Sequence, residues 1–226
     1  MKLDSCIPVS VVTVAIMAAA SAYAITQLSG APIPIHWTLD GRVSDYQSPA
    51  LVLFLLPAVT AVVSLVFAVL PRTAPGGGGL DRSVRPYAVV WLGVIGLMAV
   101  LHLTLVGNAL GAPFDVVRVT VIASGEFLAL VGNYLPKVRY NSLFGVRTPW
   151  TLASERVWDR SNRVAGRWLM VAGLIAVAGG VLIQDRMLAV MALLIPALAA
   201  GLGAIVYSAM ISGEEAGTPS RHRKGA

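Results

Sequence analysis

Residues 133–158 read NYLPKVRYNSLFGVRTPWTLASERVW, a basic segment punctuated by Pro and Gly and closed on both sides by apolar runs. Outward from it the chain is compatible with lipid almost everywhere. Of 226 residues, 57% are hydrophobic and 12% charged, and the mean hydropathy is +0.77. A soluble domain carries about 25% charged residues, so a solvated globular core is excluded and a multi-span membrane protein is implied. In such a protein only the few polar segments are open to recognition or chemistry.

Crossing a hydrocarbon core takes roughly 20 apolar residues per helix, and six segments meet that length: 8–27, 50–70, 87–106, 114–133, 166–183 and 187–211. The fourth is the least apolar because it holds Asp115, Arg118 and Glu126, and the fifth has a short apolar core whose helix is expected to begin upstream. Pro57 and Pro196 fall inside spans, where neighbouring helices or water satisfy the freed carbonyl. Of the 17 Lys and Arg, all but Arg42, Arg118 and Arg186 collect on one face. The excess of Lys and Arg that marks cytoplasmic loops places that face and both termini in the cytoplasm. The net charge of +6 is therefore a topology signal, and no direct nucleic-acid partner is expected.

The fold class expected is all-α: a six-transmembrane-helix bundle with a basic, partly helical cytoplasmic loop between spans four and five. Residues 1–70 hold spans one and two with an extracytoplasmic loop at 28–49, and 71–86 form a cytoplasmic Gly-rich linker. Residues 87–211 form a four-span region with the polar loop 133–166, and 212–226 a basic tail. Lys2, an apolar run and Ala22-Tyr23-Ala24 also fit a cleavable secretory signal; a retained first helix is the expectation. The lone Cys6 permits no internal disulfide.

The outer loop alternates Ile33, Ile35, Trp37 and Leu39 with Pro34, His36, Thr38 and Asp40, and Asp40-Gly41 follows. Alternation ending in Asp-Gly predicts a short hairpin, limited to an edge by its prolines. Trp37 and Tyr46 suit the headgroup level, so the loop reads either as a connector hugging the membrane or as a binding surface. Gly76 to Gly79 predict a flexible linker without fixed structure, and the absence of a Lys-Ser/Thr ending argues against a phosphate-binding loop.

Within the inner loop, Thr148-Pro149 predicts a helix opening with Thr as cap and Pro at the first position. Ser154-Glu155 predicts a second. Beyond it Arg156, Arg160, Arg163 and Arg167 fall on one helical stripe, with Val157, Ser161, Val164, Ala165 and Trp168 on another face. The stripe reads as a headgroup anchor or as a docking surface for a cytoplasmic protein. Gly145-Val146-Arg147-Thr148-Pro149-Trp150 brackets an Arg between two restricting residues, which predicts a fixed loop carrying a directed guanidinium.

Asn133, Pro136-Lys137, Asn141, Gly145, Arg147 through Leu152, Glu155, Val157-Trp158 and Gly166 together resemble the signature region of the SdpI family of membrane proteins. Pro34, His36 and Gly41 resemble a short domain of unknown function that often precedes it, and with Trp37 they are the outer-loop candidates. The resemblance implies a bacterial inner-membrane protein giving immunity to a secreted, membrane-active peptide toxin met on the outer face. It also implies signalling by capture of a cytoplasmic transcriptional repressor. It makes the signature residues the candidates for partner contact and the outer loop the candidate for the toxin.

Four ionisable residues lie within or near spans: His102, Asp115, Arg118 and Glu126. An ionised carboxylate in hydrocarbon costs several kcal/mol, so Glu126 is expected to be paired, neutral or functional. Asp115 and Arg118 at i,i+3 predict a structural pair, and the tight loop between spans three and four leaves His102 able to approach them. A proton path through Glu126 and His102, as in a proton-coupled transporter, is the competing reading. His36, His102 and His222 are too dispersed for a metal site. Neither a catalytic constellation nor a cofactor site is expected.

Overall fold

The computed structural model describes residues 3–28, 30, 32–38, 42–73 and 75–217. With no water to pair backbone groups in a bilayer, the apolar runs close their hydrogen bonds internally as helices. These are α1 (Cys6–Gln27, entered through a 3-10 turn at Leu3–Ser5), α2 (Pro49–Thr73), α3 (Val84–Ala109), α4 (Val116–Tyr134), α5 (Pro149–Ala153), α6 (Glu155–Leu182) and α7 (Arg186–Gly217). All but α5 are long and apolar enough to cross a membrane, which makes the chain a multi-pass all-α bundle.

Between α1 and α2 stand β1 (Ile33–Trp37) and β2 (Val43–Gln47), an antiparallel pair with Ile33 opposite Gln47 and Trp37 opposite Val43. The expected Asp40-Gly41 turn, Gly41 among the candidate residues, and the basic tail beyond Gly217 lie outside the described residues. One end of the bundle thus carries the hairpin and the short α3–α4 and α6–α7 turns. The other, basic end carries the long loop 135–154 and the α2–α3 connection.

The helices form two three-helix groups, α1–α2–α3 and α4–α6–α7, joined where α3 packs on α4. The first group is held near its basic end by Cys6, Leu80, Tyr87, Ala88, Trp91 and Ile95. There Phe67 stacks on Trp91 at 5.9 Å and meets Tyr87 edge-on at 5.4 Å. The second group is held by glycines. Gly125 and Gly132 on α4, and Gly166 and Gly173 on α6, recur every seven residues and face one another. A Cβ on Gly125 would stand 2.8 Å from Gly173 O, and one on Gly132 would stand 2.6 Å from Gly166 O. Lipid is as apolar as Leu, so helices in a bilayer associate through such close backbone approach.

The glycine run does not behave as the expected structureless linker. Pro75–Arg82 winds into a 3-10 turn. Gly79 adopts φ +72°, and a Cβ there would stand 3.4 Å from Tyr140 O. The turn also delivers Leu80, 3% exposed, into the first core. Tertiary contact supplies the order that composition alone does not encode. Span five begins upstream of its apolar core, as expected: its helix is α6, which starts at Glu155 and carries the Arg stripe directly into the apolar span.

Candidate functional site

Loop 135–154 is built around two buried asparagines and one tryptophan. Pro136, which ends α4, packs against Gly166 so closely that a Cβ there would stand 2.6 Å from Pro136 Cγ. Asn141, 1% exposed, donates through Nδ2 to Arg139 O (2.8 Å) and Phe144 O (3.1 Å), while its Oδ1 accepts from the N–H groups of Leu143 (2.8 Å) and Phe144 (2.9 Å). All four hydrogen-bonding capacities of the amide are used, which fixes a turn with no regular structure of its own. Gly145 then takes φ +128°, a conformation L side chains rarely adopt, and lies flat against Trp158. Trp158 is fully buried and donates from Nε1 to Val138 O at 3.1 Å. Tyr140 meets it edge-on at 5.5 Å and donates to Leu152 O at 2.8 Å.

The next turn is a reciprocal cap. The Thr148 side chain accepts from Thr151 N–H, Thr151 Oγ1 accepts from Thr148 N–H at 2.8 Å, and Pro149 occupies the first turn of α5. Thr151 also donates to Val146 O at 2.8 Å, and Thr148 Oγ1 lies 3.1 Å from Ser208 Oγ on α7. Ser154 then caps α6, accepting from Val157 N–H. Asn162, one turn beyond Trp158, accepts from Val146 N–H at 2.9 Å and donates to Trp158 O at 3.0 Å. Ser83 accepts from Arg139 N–H at 2.9 Å, which ties the loop to the start of α3.

The signature residues therefore divide into two sets. Asn141, Thr148 and Trp158 are buried, and Gly145 is pressed beneath them; these are buttresses that touch other parts of the chain. Arg147, Pro149, Trp150 and Glu155 are exposed, with Arg156, Arg160, Arg163 and Arg167 continuing the surface along α6. Arg147 makes no hydrogen bond or ion pair with the described residues, and Trp150 beside it is 38% exposed. Asn133 and Lys137 are exposed at the end of α4, where Lys137 Nζ lies 3.5 Å from Asn133 Oδ1 and 4.3 Å above the Tyr134 ring. Pairs such as Arg139–Asp159 (3.7 Å) and Arg160–Glu214 (3.8 Å) are solvated and contribute only about 0–1 kcal/mol each. Trp168, on the face away from the stripe, is 40% exposed, leaning on Gly203 and meeting Tyr207 at 6.2 Å. Sequence reasoning missed Asn162, Ser83 and Ser208; only the Thr148-x-x-Thr151 spacing carried a readable signal for the cap.

The intramembrane residues do not form one cluster. His102 is fully buried among α1, α2 and α3, its Nε2 3.1 Å from both Met17 O and Ser21 Oγ, and the carbonyl assigns the proton to Nε2. Ser21 in turn donates to Leu53 O at 2.5 Å. Asp115 and Arg118 are elsewhere, at the hairpin end. Asp115 is the cap of α4 and accepts from the Arg118 N–H, yet its ion-pair partner is Arg186, 71 residues away, at 2.9 Å. This corrects the i,i+3 ion pair: capping turns the carboxylate back over the helix end, and the Arg118 guanidinium reaches Ile183 O (3.3 Å) and Gln184 Oε1 (3.4 Å) instead. Glu126 is exposed on α4, between Gly125 facing α6 and Phe127 facing α3, and pairs with none of the described residues. At the hairpin end Asp115, Arg118, Gln184, Arg186 and Thr38 line an open cleft of about 840 Å³. Pro34 is half-buried in β1, and His36 is exposed with Nδ1 3.8 Å from Asp45 Oδ2.

Burial pushes the Asp115 carboxyl up, but the Arg118 N–H, the Arg186 hydrogen bond and both guanidinium charges bring it below the usual carboxylate range. A depressed carboxylate pKa contributes stability in full above the unfolded value, about 3.9, and loses it as pH falls through the folded value. Asp115→Asn keeps a capping side chain but loses the ion pair. The expected result is a lower melting temperature for the variant at pH 7 and a gap to wild type that closes below about pH 4. Thermal unfolding across that range checks it, and a gap independent of pH would remove the ion pair from the account.

A family model described as the SdpI/YfhL protein family matches residues 137–208, which cover the loop, α6 and most of α7. The chain is 30% identical over 146 residues to the immunity protein SdpI of Bacillus subtilis (strain 168). The match covers 63% of this chain and 66% of that protein, just under two thirds of the relative's length. No solved structure gives a significant match.

Proposed function

Because residues 137–208 match the SdpI/YfhL family and the chain is 30% identical to an immunity protein over 146 residues, we propose that it protects the membrane carrying it against a membrane-active peptide toxin. The observation that carries this is the 146-residue match to a protein named for immunity. In this reading the basic end is cytoplasmic, the membrane is the bacterial inner membrane, and the toxin is met at the hairpin end. The exposed Tyr46 and the cleft of Arg118 and Arg186 give that surface both an aromatic and a charged component. The buttressed loop at the opposite end holds the arrangement of α4, α6 and α7, and its exposed Arg147, Trp150 and Arg stripe are the place for a repressor to dock.

Expression in a toxin-sensitive bacterium tests this. Survival should rise with the wild-type chain, and unchanged killing by every cognate toxin would count against immunity. Replacing Arg156, Arg160 and Arg163 with Gln should leave protection intact while a small DNA-binding protein no longer co-fractionates with membranes. One observation favours a second reading: an exposed mid-span carboxylate without a partner among the described residues suits proton-coupled transport. Glu126→Gln separates the two, since immunity by binding survives the change and transport through Glu126 does not.

A further inference from the structure

We propose that the outward face of α4 is where a second copy of this chain docks, the two helices pairing through Glu126 and Asn133. Within α4 these two are the exposed residues, and the rest of the helix is buried or half-buried. A helix that meets only lipid shows the reverse, with apolar side chains outward and ionisable ones turned into the bundle. Glu126 has ten helical residues before it and eight after it, so it stands about 15 Å from one end of α4 and about 12 Å from the other. That is the middle of a hydrocarbon core about 30 Å thick, where a charged group is most costly.

The bundle itself brings nothing to this carboxyl. On one side of it lies the glycine seam with α6; on the other, Phe127 and Leu130 meet Gly93 of α3. None of these side chains donates a hydrogen bond. Glu126 accordingly has no hydrogen bond or ion pair among the described residues. Asn133 is seven residues on, about 10 Å along the same face. Its Oδ1 lies 3.5 Å from Lys137 Nζ, and its Nδ2 has no partner among the described residues.

The pattern is complementary to itself. Copies inserted with one topology are related by an axis along the membrane normal, so across a two-fold interface each residue meets its own twin at one depth. A carboxyl that holds its proton both donates and accepts, and so does a carboxamide. Glu126 therefore completes Glu126 of the second copy, and Asn133 completes Asn133, with no further group required. A foreign helix would need a donor at the bilayer centre and a second polar group two turns away. Hydrogen bonds of this kind join helices in lipid, where apolar contact alone gives little drive. The interface accounts for Glu126 without a transport role and is independent of the toxin reading.

The test uses the full chain, in mild detergent for mass and in native membranes for cross-linking. Native mass spectrometry of the wild type should give twice the 23.7 kDa chain mass. Glu126→Gln keeps a group that donates and accepts, and should stay paired. Glu126→Leu, which a bilayer tolerates better than the carboxyl and so leaves the bundle folded, should raise the dissociation constant about tenfold on dilution. A photo-cross-linker at Val119, two turns nearer the hairpin end on the same face, should capture a second copy. One at Val62, exposed on α2, should not. A wild type that stays single, or a Glu126→Leu chain that pairs equally well, would overturn the proposal. So would capture at Val119 of another polypeptide or of lipid alone.

Discussion

Gly132→Val should collapse the α4–α6–α7 half of the bundle, the largest effect expected of any single substitution in the chain. A Cβ at this position stands 2.6 Å from Gly166 O and 2.8 Å from Met170 Cα, and closer still to Met170 N. Every obstacle is backbone, so no rotamer change relieves it, and α6 must move away. Overpacking a closed core costs about 1–3 kcal/mol and more when a backbone must shift. Here the shift also breaks the reciprocal fits of Gly125 against Gly173 and of Gly166 against Pro136. A loss of at least about 3 kcal/mol, or roughly 10 °C in melting temperature, is expected. Gly96→Val is the control, because nothing lies within 4 Å of a Cβ there. If the two variants melt together, the glycine seam is not the contact that holds this half.

Trp158→Ala is the second. The side chain is fully buried, and removing such a ring costs about 3–5 kcal/mol in transfer and cavity terms. It also leaves Val138 O without its donor and takes away the wall against which Gly145 and Tyr140 are set. The damage should concentrate in 138–154, since Asn141, Thr148 and Thr151 are tied to that frame. Limited proteolysis of detergent-solubilised protein should cut this loop in the variant and spare it in the wild type. Trp158→Phe keeps most of the volume and loses only the donor, so about 1–3 kcal/mol is expected. Equal protease resistance of Trp158→Ala and wild type would mean that the loop is held by its asparagine and threonine networks alone.

The two substitutions show why parts of the site were legible in the chain and others were not. Thr148-Pro149 and Ser154-Glu155 announce helix starts because a cap satisfies donors two or three residues away, and both caps are present. The Arg stripe was readable for the same reason: its spacing is a property of one helix. Asn141 was noticed only through the family resemblance, and its use of all four capacities within 139–144 was not anticipated. Asn162 gave no signal, because its partner Val146 belongs to a different stretch of chain. The expected approach of His102 to Asp115 failed because His102 answers to Ser21 and Met17, about eighty residues upstream.

By itself the sequence determined that this chain crosses a membrane in six helices, where spans one to four begin and end to within a turn, and which family's signature it carries. Those follow from hydropathy over about 20 residues, from caps, and from a dense run of characteristic residues, all local terms. Tertiary structure alone decided that Gly125, Gly132, Gly166 and Gly173 form one seam, that Asp115 pairs with Arg186, and that the run of glycines after Pro75 is ordered. Each of these depends on which helix faces which and in what register. In a bilayer that choice rests on close packing and paired polar groups between segments far apart in the chain, which no local pattern records.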